Sequence, residues 1–147
     1  IKAAIEVKVN DDELFDSFQV TYNVFDQSSF SILGDVLKQG KCVIIKEALA
    51  NGRIFRNEKF QQYNKVYNIL EALSKKYEVG VDAIALRFIM DNLQPTYVLS
   101  GASNKTHLKQ NLKALNFNFT LEELKLLKTL KQAPESYWKE RSSLNLN

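Results

Sequence analysis

The chain has 147 residues, of which 45% are hydrophobic and 25% charged, with two prolines and five glycines, so it reads as one folded domain rather than a disordered, collagenous or low-complexity polymer. Twenty basic residues against seventeen acidic ones leave a net charge of only +3, and no unbroken basic run offers itself to a nucleic-acid backbone. No apolar stretch approaches the ~18 residues a membrane span needs, and the start lacks the basic, apolar and small-residue order of a signal peptide.

The single Cys42 sits in the apolar run Cys42-Val43-Ile44-Ile45, where it reads as a small buried hydrophobe; without an internal disulfide partner it fits a reducing, cytoplasmic compartment. The first residue is Ile1 rather than Met, which is what a piece of a longer chain would show.

Along the chain, Ile1 to about Val9 suits the tail of a helix, and Asn10-Asp11-Asp12 a loop. Phe15 to Phe25 is dense in aromatic and β-branched residues, the composition of a mostly buried strand in a parallel sheet. Ser28 and Ser29 can cap a helix whose apolar positions Phe30, Ile32, Leu33, Val36 and Leu37 recur at helical spacing until Gly40 stops it. A second strand is predicted from Lys41 to about Ile45, followed by a loop at Ala50-Asn51-Gly52-Arg53, where Asn and Gly tolerate positive φ.

The stripe Val66, Tyr67, Ile69, Leu70, Leu73 and Tyr77 predicts an amphipathic helix over Asn64–Tyr77. Another helix starts near Val81-Asp82 and runs through Met90, with Pro95 as a stop. Tyr97 to Ser100 is a short third strand, Gly101 to Asn104 a turn and cap, and Lys105–Leu115 a helix. Thr120-x-x-Glu123 is a capping box opening a last helix, Leu121 to Leu130, with Leu124, Leu126, Leu127 and Leu130 as core; the tail beyond Pro134 is polar except for Tyr137 and Trp138, the latter expected to cover an apolar surface.

Strands alternating with helices indicate an α/β fold with parallel βαβ units, either a doubly wound sheet or part of a (β/α)8 barrel. About three strands are visible, whereas a complete barrel usually takes ~250 residues. Ligands in such folds collect at the carboxyl ends of the strands, which here means Gln19 to Asn23, Lys46 to Gly52 and Ser100 to Asn111. In the third segment a strand runs through Gly101 into a helix start, so free backbone N–H groups and the positive end of a helix dipole would meet a bound anion. His107 and Asn111, four residues apart, project from the same helix face. The competing reading is that Ser103 or Asn104 only caps the helix while His107 is solvated. One histidine without a cysteine or second histidine beside it gives no expected metal site or catalytic triad, and Glu47 reads either as an acid or base or as an ordinary loop residue.

The segments Phe15 to Asn23, Glu47-Ala48-Leu49-Ala50-Asn51-Gly52, Ala85-Leu86-Arg87-Phe88 and, most specifically, Gly101 to Asn111 resemble in order and spacing the C-terminal half of the aldo-keto reductases. The resemblance implies the C-terminal portion of a (β/α)8 TIM barrel, about three βα units plus C-terminal helices, that binds NADP(H) and serves reduction of an aldehyde or ketone. By position it implies Gln19 on the nicotinamide carboxamide, and Lys46, Glu47, Ala48 and Leu49 along the nicotinamide and pyrophosphate, with Gly52 in the following loop. Gly101 and Ser103 would contact the adenosine phosphate, and His107, Gln110 and Asn111 the phosphate and adenine. Where the family usually has an aromatic residue, Ser and Pro, this chain has Lys46, Glu47 and Ala48, a departure that puts a carboxylate near pyrophosphate. The family's catalytic tetrad has no counterpart here. The resemblance therefore implies a cofactor-binding part that completes its site with the N-terminal half of a barrel or a second chain, or alternatively a non-catalytic nucleotide-sensing or interaction subunit of the same superfamily.

Overall fold

A computed structural model describes residues 1–144. The chain opens with α1 (Lys2–Ile5), a single turn, followed by the paired strands β1 (Lys8–Val9) and β2 (Asp12–Glu13). Asn10 and Asp11 both take positive φ, 53° and 68°, the backbone of a tight two-residue hairpin. The region expected to be a helix tail is thus helical only as far as Ile5. Lys8 and Val9 instead find their hydrogen-bond partners across the turn, opposite Glu13 and Asp12.

The main sheet consists of β3 (Ser17–Thr21), β4 (Cys42–Lys46) and β5 (Tyr97–Val98) in the order β3-β4-β5, all parallel, with Gln19 beside Ile44, Thr21 beside Lys46 and Ile45 beside Val98. Alternation along the strands separates two faces. Phe18, Val43 and Ile45 point into the core, whereas Ser17, Gln19, Cys42, Ile44, Lys46 and Tyr97 share the other face, which is exposed or half-buried. Cys42 accordingly stands half-buried on the open face and not in the core.

The strand expected over Phe15–Phe25 is shorter because Tyr22, Val24 and Phe25 are buried without joining the ladder. The Asn23 side chain turns the backbone there, its Oδ1 accepting from the amides of Phe25 (3.0 Å) and Asp26 (2.9 Å). Helix α2 (Phe30–Lys38) follows, and neither expected serine caps it through its side chain. Asp26 Oδ1 holds the entry by accepting from the Ser28 amide and hydroxyl at 3.1 and 2.6 Å. Gly40, at φ 75°, ends it as expected.

After β4 the chain makes a 3₁₀ turn at Ala50–Gly52 and another 3₁₀ segment at Glu58–Tyr63, then enters α3 (Asn64–Tyr77), whose bounds match the sequence pattern. Helix α4 (Val81–Leu93) is the centre of the molecule: Ala83, Ile84, Ala85, Phe88 and Ile89 are fully buried, and the helix meets α2, α3, β5 and the helical segments between Lys105 and Lys128. Each such buried large side chain contributes on the order of 1.5–3 kcal/mol. Beyond β5 come α5 (Lys105–Leu112), α6 (Leu121–Lys128) and α7 (Pro134–Ser142). Helix α5 gives way to a 3₁₀ turn at Lys113–Asn116, short of the expected Leu115. The Thr120–Glu123 capping box of α6 forms in both directions. Leu127 and Leu130 are core, but Leu126 is 41% exposed.

Helix α7 was not expected. Its only buried residue is Tyr137, and Trp138, assigned to an apolar surface from the sequence, remains 43% exposed. Among the described residues no helix is long and apolar enough to cross a membrane.

Candidate cofactor site

A cavity of about 840 Å3 opens at the carboxyl ends of β4 and β5. One wall is the segment after β4, with Lys46, Glu47, Ala48, Leu49 and Gly52; the other is the segment after β5 and the first turns of α5, with Gly101, Ser103, His107, Gln110 and Asn111. Gln19 stands apart. It is the middle residue of β3, exposed on the open sheet face beside Ile44, and does not line the cavity.

Of the remaining lining, Asn51, Ser100 and Ala102 fall within the segments the sequence singled out without being assigned a role, whereas Phe55, Leu99 and, at the start of α4, Gly80, Val81 and Asp82 were missed. The signal for Asp82 was present, since an acidic residue in the first turn of a helix, here two residues after the N-cap Gly80, is favoured by the helix dipole and marks a helix start. Asp82 is buried and its Oδ1 accepts from the Ala83 amide at 2.9 Å; a Cβ added at Gly80 would strike that same carboxylate.

The post-β5 wall is built around the start of α5. Gly101 takes φ 65°, which turns the chain into the helix at little cost because it has no Cβ. Asn104 is the N-cap, its Oδ1 accepting from the His107 amide at 2.9 Å. Ser103 is therefore not needed as the cap; its Oγ instead lies 3.0 Å from His107 Nδ1. The amides of Lys105 and Thr106 meet no acceptor among the described residues. Asn111 is buried and its Nδ2 donates to the Ser100 carbonyl at 2.8 Å, tying the loop back to the helix. The wall presents the Ser103 hydroxyl and the His107 imidazole beside the positive end of a helix, an arrangement suited to an anion.

The post-β4 wall is stiffer. Glu47 and Ala50 have positive φ, 55° and 49°, and Asn51 and Gly52 continue in that region. The turn is held by Ala50 N donating to Glu47 O at 2.8 Å and by Asn23 Nδ2 donating to the same carbonyl at 3.0 Å. Asn23 Nδ2 also donates to the Tyr137 hydroxyl at 2.9 Å, so the wall is fastened to α7. Burial pushes the Tyr137 hydroxyl pKa up, which keeps it neutral and able to share that bond. Arg53, fully buried, donates from Nε to the Ala50 carbonyl (3.0 Å) and from Nη1 to Glu140 (2.7 Å), with its guanidinium 4.2 Å from the Tyr137 ring centroid. None of these polar anchors was legible as such in the sequence.

The model of the Aldo/keto reductase family matches residues 7–132. The chain belongs to that family. Among solved structures, the aldo-keto reductase is similar to a thermostable family member in complex with the inhibitor epalrestat, at 26% identity and TM-score 0.61, over 78% of this chain and 39% of that one. An apo aldo-keto reductase from Bacillus halodurans, 20% identical, superposes with TM-score 0.64 over 80% of this chain and 44% of its own. A third, Gox0644, was solved in complex with NADPH and shares the fold at 14% identity and TM-score 0.59, over 79% of this chain and 38% of its own. The chain thus spans roughly two fifths of the length of these structures. No curated protein matches it in sequence. The α/β fold superposes on part of these structures, and α7 lies beyond the family match.

Proposed function

We propose that this chain is the C-terminal, cofactor-binding part of an NADP(H)-dependent oxidoreductase that reduces aldehydes or ketones in the cytoplasm. The observation that carries the reading is the single cavity in which the start of α5 and the turn after β4 face each other. The volume of about 840 Å3 lies within the range of small-molecule sites. Two kinds of polar group fit the cofactor. Donors on the α5 side, Ser103 and His107, next to the helix start where the Lys105 and Thr106 amides are free, suit a dianionic phosphate. Acceptors on the other side, Glu47 Oε2 and Asn51 Oδ1, are buried without a hydrogen-bond partner among the described residues and suit the hydroxyl or amide donors of a nucleotide.

Gly101, Ser103, His107, Gln110 and Asn111 are assigned to the adenosine phosphate end, and Lys46, Glu47, Ala48, Leu49 and Gly52 to the nicotinamide and pyrophosphate. Gln19, on the open sheet face, is assigned to the carboxamide. When bound, NADP(H) supplies the hydride. No residue of this chain is assigned as proton donor to the carbonyl oxygen, and that group comes from the complementary part of the barrel, which packs on the exposed face and edges of the sheet. NADPH fluorescence titration of the protein tests the reading. Saturable enhancement is expected, weakened roughly three- to ten-fold by Ser103→Asp, which sets a like charge beside the phosphate. An absence of any saturable signal, or equal affinity in the variant, refutes it.

A further inference from the structure

The cavity that suits an anion contains a carboxylate in its wall, and the structure places a cation on it from outside the family-matched region. Glu47 Oε1 accepts from Arg141 Nη2 at 2.6 Å and from Nε at 3.3 Å. The Glu47 side chain is 11% exposed and that of Arg141 33%, so the pair is shielded enough for its charges to matter. The other charged groups lining the cavity are Lys46, Asp82 and, when protonated, His107, and Asp82 is engaged with the Ala83 amide. Glu47 without Arg141 would be an uncompensated negative charge on the wall.

We infer that Arg141 is a positioning residue of the cofactor site: from α7 it holds and neutralises Glu47, so that a carboxylate sequence can sit in a wall that receives a multiply charged anion. The assignment rests on the proposed NADP(H) reading of the cavity and goes beyond it by giving the C-terminal helix control over affinity. The same helix reaches the Glu47 backbone through Tyr137 and Asn23, at 2.9 and 3.0 Å, so its docking fixes both the charge and the position of that turn. The Glu47 conformation, φ 55°, is unfavourable for a residue with a Cβ and is held by these contacts.

The test is NADPH titration, followed by fluorescence, of the wild-type protein, Arg141→Ala, Glu47→Gln and the double variant, with circular dichroism as the check on folding. Arg141→Ala is expected to weaken binding roughly three- to thirty-fold, the scale of one unpaired charge near a multiply charged ligand. Glu47→Gln is expected to bind at least as tightly as wild type. Measured against Glu47→Gln alone, the double variant is expected to bind within about two-fold, because the charge that Arg141 neutralises is already gone. Wild-type binding with unchanged affinity in Arg141→Ala overturns the inference alone. So does a loss of the same size when Arg141→Ala is made on the Glu47→Gln background, which would mark Arg141 as merely structural. A wild-type protein that does not bind NADPH overturns both this inference and the function it rests on.

Discussion

Replacing Arg53 by leucine tests how the wall after β4 is held. The substitution removes a charge-assisted bond to Glu140 at 2.7 Å, a bond to the Ala50 carbonyl at 3.0 Å and the guanidinium stacked 4.2 Å from the Tyr137 ring. Bonds to charged groups contribute about 1.5–3 kcal/mol each, and a desolvated cation–π contact up to about 2 kcal/mol. Two facts offset that loss. Arg53 Nη2 is buried without a partner, so its desolvation cost disappears with it, and Glu140 keeps the Tyr63 hydroxyl at 2.7 Å and the Gln62 amide at 3.1 Å while remaining partly open to water. The expected net loss is about 2–3 kcal/mol, equivalent to a Tm drop of roughly 5–10 °C for a domain of this size. Urea unfolding with an unchanged m-value measures it directly. Replacing both Arg53 and Glu140 by leucine should cost at least about 1 kcal/mol less than the sum of the single changes, since neither charge is then stranded. A single variant within about 0.5 kcal/mol of wild type, or strict additivity, refutes the account of Arg53 as the buried fastening of α7.

Three further outcomes are expected. Thr120→Ala, which removes the N-cap of α6 and one half of its reciprocal capping box, should cost about 1 kcal/mol in the same unfolding assay. Although partial burial pushes Glu123 up, hydrogen bonds from Lys76, Tyr77 and Thr120 hold its carboxyl down at about 2. Because the folded pKa lies below the unfolded one, its stabilisation is present above pH ~4.3 and is lost as pH falls toward 2, so Glu123→Gln should flatten the acid limb of a stability–pH profile in that window and lower stability at pH 7. Tyr137→Phe should destabilise the protein by about 1–2 kcal/mol, because Asn23 Nδ2 loses a buried acceptor; calorimetry reports the shift.

The parts of this fold that were readable from the sequence are those where burial follows a simple period. Asn64–Tyr77 carries its stripe on one face and its charges on the other, and the structure has those bounds. Leu126 shows where the period misleads: a leucine next to the buried Leu127 on a surface helix can still point to solvent. Phe15–Phe25 was overextended because composition cannot distinguish a residue in the ladder from one buried beside it, as Tyr22, Val24 and Phe25 are. Helix α7 was illegible for the opposite reason. It has no apolar stripe; one buried tyrosine and long-range polar bonds, from Asn23 to Tyr137, from Arg53, Gln62 and Tyr63 to Glu140, and from its own Arg141 to Glu47, hold it in place.

The candidate site divides the same way. The turn into α5 was legible because a glycine at φ 65° and an Asn cap leave local signatures. The competing roles of Ser103 and Asn104 are separated by geometry alone, with Asn104 on the His107 amide and Ser103 on the imidazole. Glu47 read as an isolated carboxylate because its partner lies ninety-four residues away, in a helix the pattern did not reveal.

The most direct measurement of the central claim is an amide chemical-shift titration of the isotopically labelled protein with 2′,5′-ADP, the phosphate-bearing end of the proposed cofactor. The account predicts saturable shifts concentrated on Gly101 to Thr106, extending to His107 and Gln110, with β1, β2 and α6 unmoved. Shifts that never saturate, or that centre away from the start of α5, would contradict it.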